Sequence, residues 1–436
     1  MDLEQNEKIQ TYLDTVCSQI KWRDMHAQIR LELISHIGDL VEEYEKNSIP
    51  GEDPINKALS QMGNARELGK DLHHIHKPRI EWSILALAVF FLGFGLFILY
   101  SLEVNSLIFT ESSSLFAKSL IYSLAGMLIT VGMYFFNYRR LKSMSWPLYV
   151  GALVLWLCVL WQGSSINGKP YLNLGFITID FAEIALFFLT VAIAGIFTDR
   201  NWQQPNYLFK TSGLLLFPII LALMSSSLTT AFLYALIFLI IMRTSGAKIK
   251  DIGITIIFPL TLAILSVVTY PHRIARLFAF FNPYQDPQGA GYAVIQSIEA
   301  IRSAGFWGQG FNFPIGILPQ LHTDFIFTYI VYSLGWITGL AVVVLATALL
   351  VRIFRVSRLV KDRYGRLLVS GLVGLLLVQF YWNILMTVGL APLAAFSLPL
   401  VSYGGSHLII QMTTLGLVLS IYRRKDVAAT TTVNHT

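Results

Sequence analysis

The 436-residue sequence is 55% hydrophobic and only 13% charged, about half the roughly 25% charge of soluble domains, which excludes an ordinary soluble protein and implies an integral membrane protein. A net charge of +6 in such a chain reports cytoplasmic loops facing anionic lipid, so nucleic acid is not an expected partner and membrane lipid is. The two cysteines, Cys17 in a polar segment and Cys158 in an apolar run, exclude a disulfide framework and offer no metal-ligand spacing.

The chain opens Met1-Asp2-Leu3-Glu4-Gln5, acidic and polar where a signal peptide needs a basic start and an apolar core, so a cytoplasmic amino terminus is expected. Residues 1–81 hold ten of the 32 Lys and Arg and interrupt every apolar run, the composition of a soluble cytoplasmic domain. Helices are expected over Glu4 to Trp22 (Ile9, Leu13, Val16, Ile20 on one face) and Arg23 to Glu45 (Ile29, Leu33, Ile34, Ile37, Leu40, Val41). Ser48 to Pro54 punctuates them and Ile55 to Met62 begins another. His73-His74-Ile75-His76 invites a metal reading, but adjacent histidines on a helix point apart, which favours solvated side chains. Ile20-Lys21-Trp22-Arg23, Glu32 to Asp39, Ala58 to Gly63 and His76-Lys77-Pro78 together resemble a small helical domain found at the amino end of several bacterial membrane proteins. The resemblance implies a sensory or regulatory module and names no ligand.

Beyond residue 81, apolar runs long enough to cross a bilayer start near Trp82, Lys118, Trp146, Phe181, Ser212, Leu228, Asp251, Asp324, Leu367 and His407. The expected fold is therefore an all-α polytopic membrane protein of about ten transmembrane helices over 82–425, with a cytoplasmic tail at 426–436. With the amino terminus inside, alternate loops carry 17 Lys and Arg against four on the other face, Lys169, Arg273, Arg276 and Arg302. Positive residues favour the cytoplasm, so the long segment 271–322 is expected outside and the carboxyl terminus inside the cell membrane.

That segment is the one long polar excursion, and long connections in compact domains usually carry function. Asp286 precedes Pro287, which biases it to extended backbone, and Gly289 and Gly291 permit a reversal, so a carboxylate is held on a bend. Plain turn chemistry and a general base at the membrane surface are both open readings of it. Arg273, Arg276 and Arg302 read either as interfacial anchors or as phosphate ligands, and Asp324, after His322, as an N-cap or a functional boundary charge.

Asn282-Pro283 with Asp286-Pro287, Gly289-Ala290-Gly291-Tyr292, Gln296-Ser297, Gly308-Gln309-Gly310, Leu318-Pro319, His322 to Phe327 and Leu334-Gly335 resemble the large outer loop and following helix of the FtsW, RodA and SpoVE (SEDS) family. Gln379, Asn383, Gly389, Pro392 and Leu398 to Ser406 resemble its closing signature. The resemblance, over roughly 82–425, implies a peptidoglycan glycosyltransferase acting in division, elongation or sporulation. Such an enzyme polymerises lipid II, an undecaprenyl-linked glycan, and has a class B penicillin-binding protein as partner. It implies Asp286 as the catalytic residue and Arg273, Arg276, Lys169, Glu183, Gln296, Ser297, His322, Asp324, Asn383, Ser402 and Tyr403 as the substrate-binding set, with a divalent cation, Mg or Mn, as a possible aid to pyrophosphate binding.

The chain also departs from the family pattern. The usual Pro-Ser-Glu with a lysine three residues on is Phe181-Ala182-Glu183 with Leu186; the usual Gln-Pro-Asp-Leu-Gly-Thr-Ala is Ser225 to Ala231; the usual Glu-Glu before Leu-Gly is Tyr332-Ser333. Glu183 is thus expected to lie unpaired and to favour its protonated form. A lipid-linked precursor transporter and a catalytically degenerate regulatory member are the competing expectations.

Overall fold

The structure, a computed structural model, describes residues 5–47, 53–75, 80–105, 115–162, 164–166, 169–173, 178–204, 207–314 and 318–426. His76 and most of the tail fall outside them. Two compact units form, the first comprising Met1–Ile80 with Val360–Asp362 and Tyr422–Thr436, the second Glu81–Leu359 and Arg363–Ile421.

The first unit is four helices, α1 (Glu7–Gln19), α2 (His26–Asn47), α3 (Pro54–Met62) and α4 (Ala65–Ile75). Asn6 caps α1 by accepting from the Lys8 and Ile9 amides, and Asp53 caps α3 from the Ile55 amide with Pro54 in the first turn. Ile9, Leu13, Val16, Ile20, Ile29, Leu33, Ile37 and Val41 are buried together, as their spacing requires, with Met25, Ile55 and Ala58. Ile34 and Leu40 sit only at the edge of this core. Helix α1 stops before Trp22 because Ile20 is extended, and a 3-10 turn over Arg23–Met25 leads into α2.

The second unit holds ten apolar helices: α5 (Trp82–Asn105), α6 (Leu115–Phe135), α8 (Ser145–Gln162), α9 (Phe181–Thr198), α10 (Tyr207–Met224), α11 (Leu228–Thr244), α12 (Ile249–Thr269), α15 (Ile326–Leu359), α16 (Arg363–Thr387) and α17 (Gly405–Arg423). The five-residue α7 (Arg139–Ser143) precedes α8. Each apolar helix begins close to its expected start, the largest offset being Tyr207 against Ser212. Eight are long and apolar enough to cross a membrane, and α8 and α11 are shorter apolar helices. The chain is a multi-pass membrane protein. Helices α9 and α16 are 83% buried over their apolar windows and form the centre, whereas α12 is 11% buried and presents Ile254, Ile257, Phe258, Leu260 and Leu265 outward, a surface suited to lipid.

Two features were not expected. A three-stranded antiparallel meander, β1 (Ser164–Ile166), β2 (Lys169–Asn173) and β3 (Thr178–Asp180), joins α8 to α9, with Ile166 opposite Lys169 and Tyr171 opposite Asp180. Asn167-Gly168 between the first two strands is the strongest short-range hairpin signal. Helix α15 is also broken at Gly335 (φ 84°, ψ 173°). The break turns the carbonyls of Tyr332 and Ser333 and the amide of Trp336 away from the helix, and residues 305–310 supply their partners. Gln309 N donates to Tyr332 O (2.8 Å), Gly310 N to Ser333 O (3.2 Å), and Trp336 N to Gly305 O (3.0 Å).

Candidate active site

The segment between α12 and α15 is not an open loop. It contains α13 (Pro271–Phe281), a 3-10 turn over Pro283–Gln285 and α14 (Tyr292–Ser303). Asp286 follows the 3-10 turn outside the α region, which the proline after it disfavours, with ψ short of fully extended backbone (φ −135°, ψ 73°). One carboxylate oxygen accepts from the Gly289 amide (3.0 Å) and the other from the Ala290 amide (2.9 Å), while its main-chain carbonyl accepts from Gly291 N (3.0 Å). A Cβ on Gly289 would lie 2.2 Å from Asp286 Oδ2, and one on Gly291 2.0 Å from the Pro283 carbonyl, so both glycines are needed for close approach. The carboxylate is thereby preorganised yet exposed, each oxygen holding one N–H and keeping lone-pair capacity toward solvent.

Several residues of the expected substrate-binding set make hydrogen bonds within the protein. Ser297 is fully buried, donates to Thr387 O (2.8 Å) and contacts the Thr328 hydroxyl (2.6 Å), tying α14 to α16 and α15. Asn383, also fully buried, donates to the carbonyls of Asp324 (2.8 Å) and Phe396 (2.6 Å). Ser402 donates to Thr323 O (2.8 Å) and accepts from Leu398 N (2.8 Å), and Tyr403 N donates to His322 O (2.9 Å). These bonds hold the turn before α15 against the closing signature. Gln296 is half-buried on α14.

Of the cations, Arg273 is buried at the start of α13, donates to the Ser266 carbonyl (3.1 Å) and hydroxyl, and lies over the Tyr270 ring at 4.5 Å. Burial lowers its pKa, and its Nη2 is buried with no partner among the described residues. Arg276 is exposed, while Lys169 lies on β2 with its side chain outside the described residues. Among the described residues no group of three His, Cys, Asp or Glu side chains is placed to hold a metal ion.

His322 packs edge-on against Tyr403 (5.6 Å between rings), and burial depresses its pKa below the ordinary 6.5. The free imidazole of an unfolded chain therefore takes a proton at higher pH than the folded one. The stability His322 contributes is complete above about pH 6.5 and is lost as pH falls through the lower folded value. In detergent, the difference in melting temperature between wild type and His322→Gln should be flat above that pH and should shrink or reverse below it.

A second polar centre lies at the start of α9. The expectation of an unpaired Glu183 is overturned: its Oε1 accepts from Gln379 Nε2 (3.1 Å) and its Oε2 contacts His407 Nδ1, on α17. Asp180, Thr229, Thr230, Gln379, Ser397 and His407 line a cavity with it. Sequence reasoning passed over His407, Ser397 and Gln411, whose only signal was the His407/Gln411 spacing of four on one helix. The starts of α9, α11, α15 and α17 and the end of α16 share this end of the bundle, and α14 packs there too, so the Asp286 segment and the Glu183 cavity are on the same side.

Ten apolar helices with their polar chemistry gathered at one end, topped by a braced aspartate turn, define a polytopic membrane protein with a candidate glycosyl-transfer site. Residues 81–427 match the FtsW/RodA/SpoVE family of cell cycle proteins, and the chain belongs to that family. It is similar to the probable peptidoglycan glycosyltransferase FtsW of Nitrosomonas europaea (30% identity over 363 residues, 79% of this chain and 93% of that one). It is likewise similar to the peptidoglycan glycosyltransferase MrdB of Escherichia coli K12 (31% over 291 residues, 64% and 77%). A chain from a solved structure titled as the structural coordination of polymerization and crosslinking by a peptidoglycan synthase complex superposes with a TM-score of 0.67 at 26% identity, covering 79% of this chain and 98% of that one. The Thermus thermophilus rod shape determining protein RodA shares the fold, with a TM-score of 0.60 at 24% identity, covering 79% and 97%.

Proposed function

We propose that this chain is a peptidoglycan glycosyltransferase that polymerises lipid II on the outer face of the cytoplasmic membrane, with both termini inside. The observation that carries the reading is the Asp286 carboxylate, exposed and preorganised on a turn in a family whose similar members bear that activity in their names. In the reaction the acceptor sugar's 4-hydroxyl forms a bond to the donor's anomeric carbon, and the bond from that carbon to undecaprenyl pyrophosphate breaks. Asp286 takes the hydroxyl proton as the new bond forms, and Arg273, whose Nη2 has no partner among the described residues, and exposed Arg276 supply positive charge for the departing pyrophosphate. The lysine and arginine asymmetry supports the orientation. The synthase-complex relative supports a class B penicillin-binding protein as partner.

The test is glycan elongation from purified lipid II by the purified chain, alone and with such a partner. Elongation supports the reading; its absence in both, with leaflet exchange of labelled lipid II in proteoliposomes, would replace it with transport. The first unit is assigned a regulatory role. Removing residues 1–75 should leave basal elongation in vitro unchanged while altering growth or morphology in cells; loss of basal elongation by a folded truncation would place that unit in the machinery instead.

A further inference from the structure

The Glu183 cavity carries more than a buried acid. Gln411 Oε1 accepts from the Leu400 amide (2.7 Å), which orients its NH2 group toward His407 Nε2. Because that nitrogen faces an N–H donor, it carries the lone pair, and the ring proton sits on Nδ1, donated to Glu183. Ser397 Oγ lies 2.7 Å from the same nitrogen and competes with the Gln411 amide for its single lone pair. The result is one directed chain of hydrogen bonds from the Leu400 amide through Gln411 and His407 to the Glu183 carboxylate, whose other oxygen is held by Gln379. Leu400 itself is held at a positive φ of 64° on the turn that Ser402 fastens to Thr323. The chain thus joins the carboxylate to the turn that braces the base of the outer segment.

Leu186 lines the same cavity one turn after Glu183 on α9, at the position where the family pattern has a lysine. The cavity keeps its acid but receives its partner from a different helix. We propose that His407 is a positioning residue for glycosyl transfer, which holds the Glu183 carboxylate in place of a neighbour on α9 and couples it through Gln411 to the Leu400 turn. The proposal rests on the glycosyltransferase reading for its kinetic arm only. Glu183 orients polar substrate groups entering the cavity, where Gln379 Oε1 is buried without a partner among the described residues and offers an acceptor to a hydroxyl or amide donor. Asp180, which caps α9 beside this cavity, is its other acid; α11 and α16 contribute only uncharged residues, Thr229, Thr230, Leu233 and Gln379.

The experiment compares full-length wild type, His407→Ser, and His407→Ser combined with Leu186→Lys, assayed for lipid II polymerisation with melting temperature measured on the same preparations. His407→Ser is expected to lower kcat about tenfold or more with a smaller change in KM, because a mis-set carboxylate costs transition-state alignment more than uniform binding. Leu186→Lys in that background, restoring a donor to Glu183 from its own helix, should bring kcat back to within about threefold of wild type. A His407→Ser variant with wild-type kinetics would overturn the proposal, as would a folded double variant that recovers nothing. A melting-temperature cycle over His407→Ser and Glu183→Gln separates this from the functional reading. Non-additive shifts in a chain that never polymerises lipid II would sink glycosyl transfer and leave the Glu183–His407 coupling, whereas additive shifts would remove the coupling itself.

Discussion

Asp286→Asn is expected to reduce lipid II polymerisation by about a hundredfold or more while leaving the melting temperature within a degree or two of wild type, the scale of losing a general base without disturbing the fold. The substitution separates the two roles the structure gives this side chain. An asparagine can still accept from the Gly289 amide through its carbonyl oxygen, so the turn keeps one of its two side-chain caps, but the amide cannot take the acceptor hydroxyl's proton. Asp286→Ala removes both caps as well, and should lose activity to the same extent with a larger drop in melting temperature. Polymerisation at the wild-type rate by either variant would show that the aspartate is turn chemistry alone.

Gly335→Ala is expected to destabilise the membrane unit by about 3 kcal/mol or more. Two effects add. At φ 84° and ψ 173° an L side chain is strained, and its Cβ would stand 2.1 Å from the Phe306 carbonyl oxygen. The reciprocal position is as tight, since a Cβ on Gly308 would lie 2.2 Å from Ser333 O. Gly305→Ala is the control: its φ is also positive, at 67°, but nothing lies within 4 Å of the added carbon, so it should cost only about 1–2 kcal/mol. Melting in detergent ranks Gly335→Ala, Gly308→Ala and Gly305→Ala, the first two expected to lose the most. Equal effects at Gly335 and Gly305 would mean that the backbone clamp contributes nothing beyond dihedral strain. If the clamp sets the height of the Asp286 turn, polymerisation by the surviving folded fraction of Gly335→Ala should fall too.

The helices were legible because their signal is local. Ten apolar runs start near where ten helices start, and the burial of Ile9, Leu13 and Val16 follows from a period that a single helix imposes on its own residues. The Asp286 turn was legible for the same reason, since Pro287 and the two glycines act within five residues. The break in α15 was not, although Gly335 was visible, because an isolated glycine in an apolar helix is tolerated and only the backbone of residues 305–310, arriving from elsewhere in the chain, makes this one a break. Ser297, Asn383 and Ser402 entered the expected substrate-binding set through the family resemblance, and the hydrogen bonds they make within the protein have no signal in the sequence. Their partners, Thr387, Asp324 and Thr323, are 90, 59 and 79 residues away.

By itself the sequence determined the membrane class, the number and order of the apolar helices, the amphipathic core of the first unit and the bend that carries Asp286, all products of composition and short-range periodicity. Only the tertiary structure decided which polar atoms are already satisfied by the protein and which still lack a partner. It gave Glu183 a partner 224 residues away in His407, where the helical neighbourhood of Glu183 offered only Leu186. A hydrogen bond depends on distance in space, and folding brings together residues whose separation along the chain carries no periodic signal.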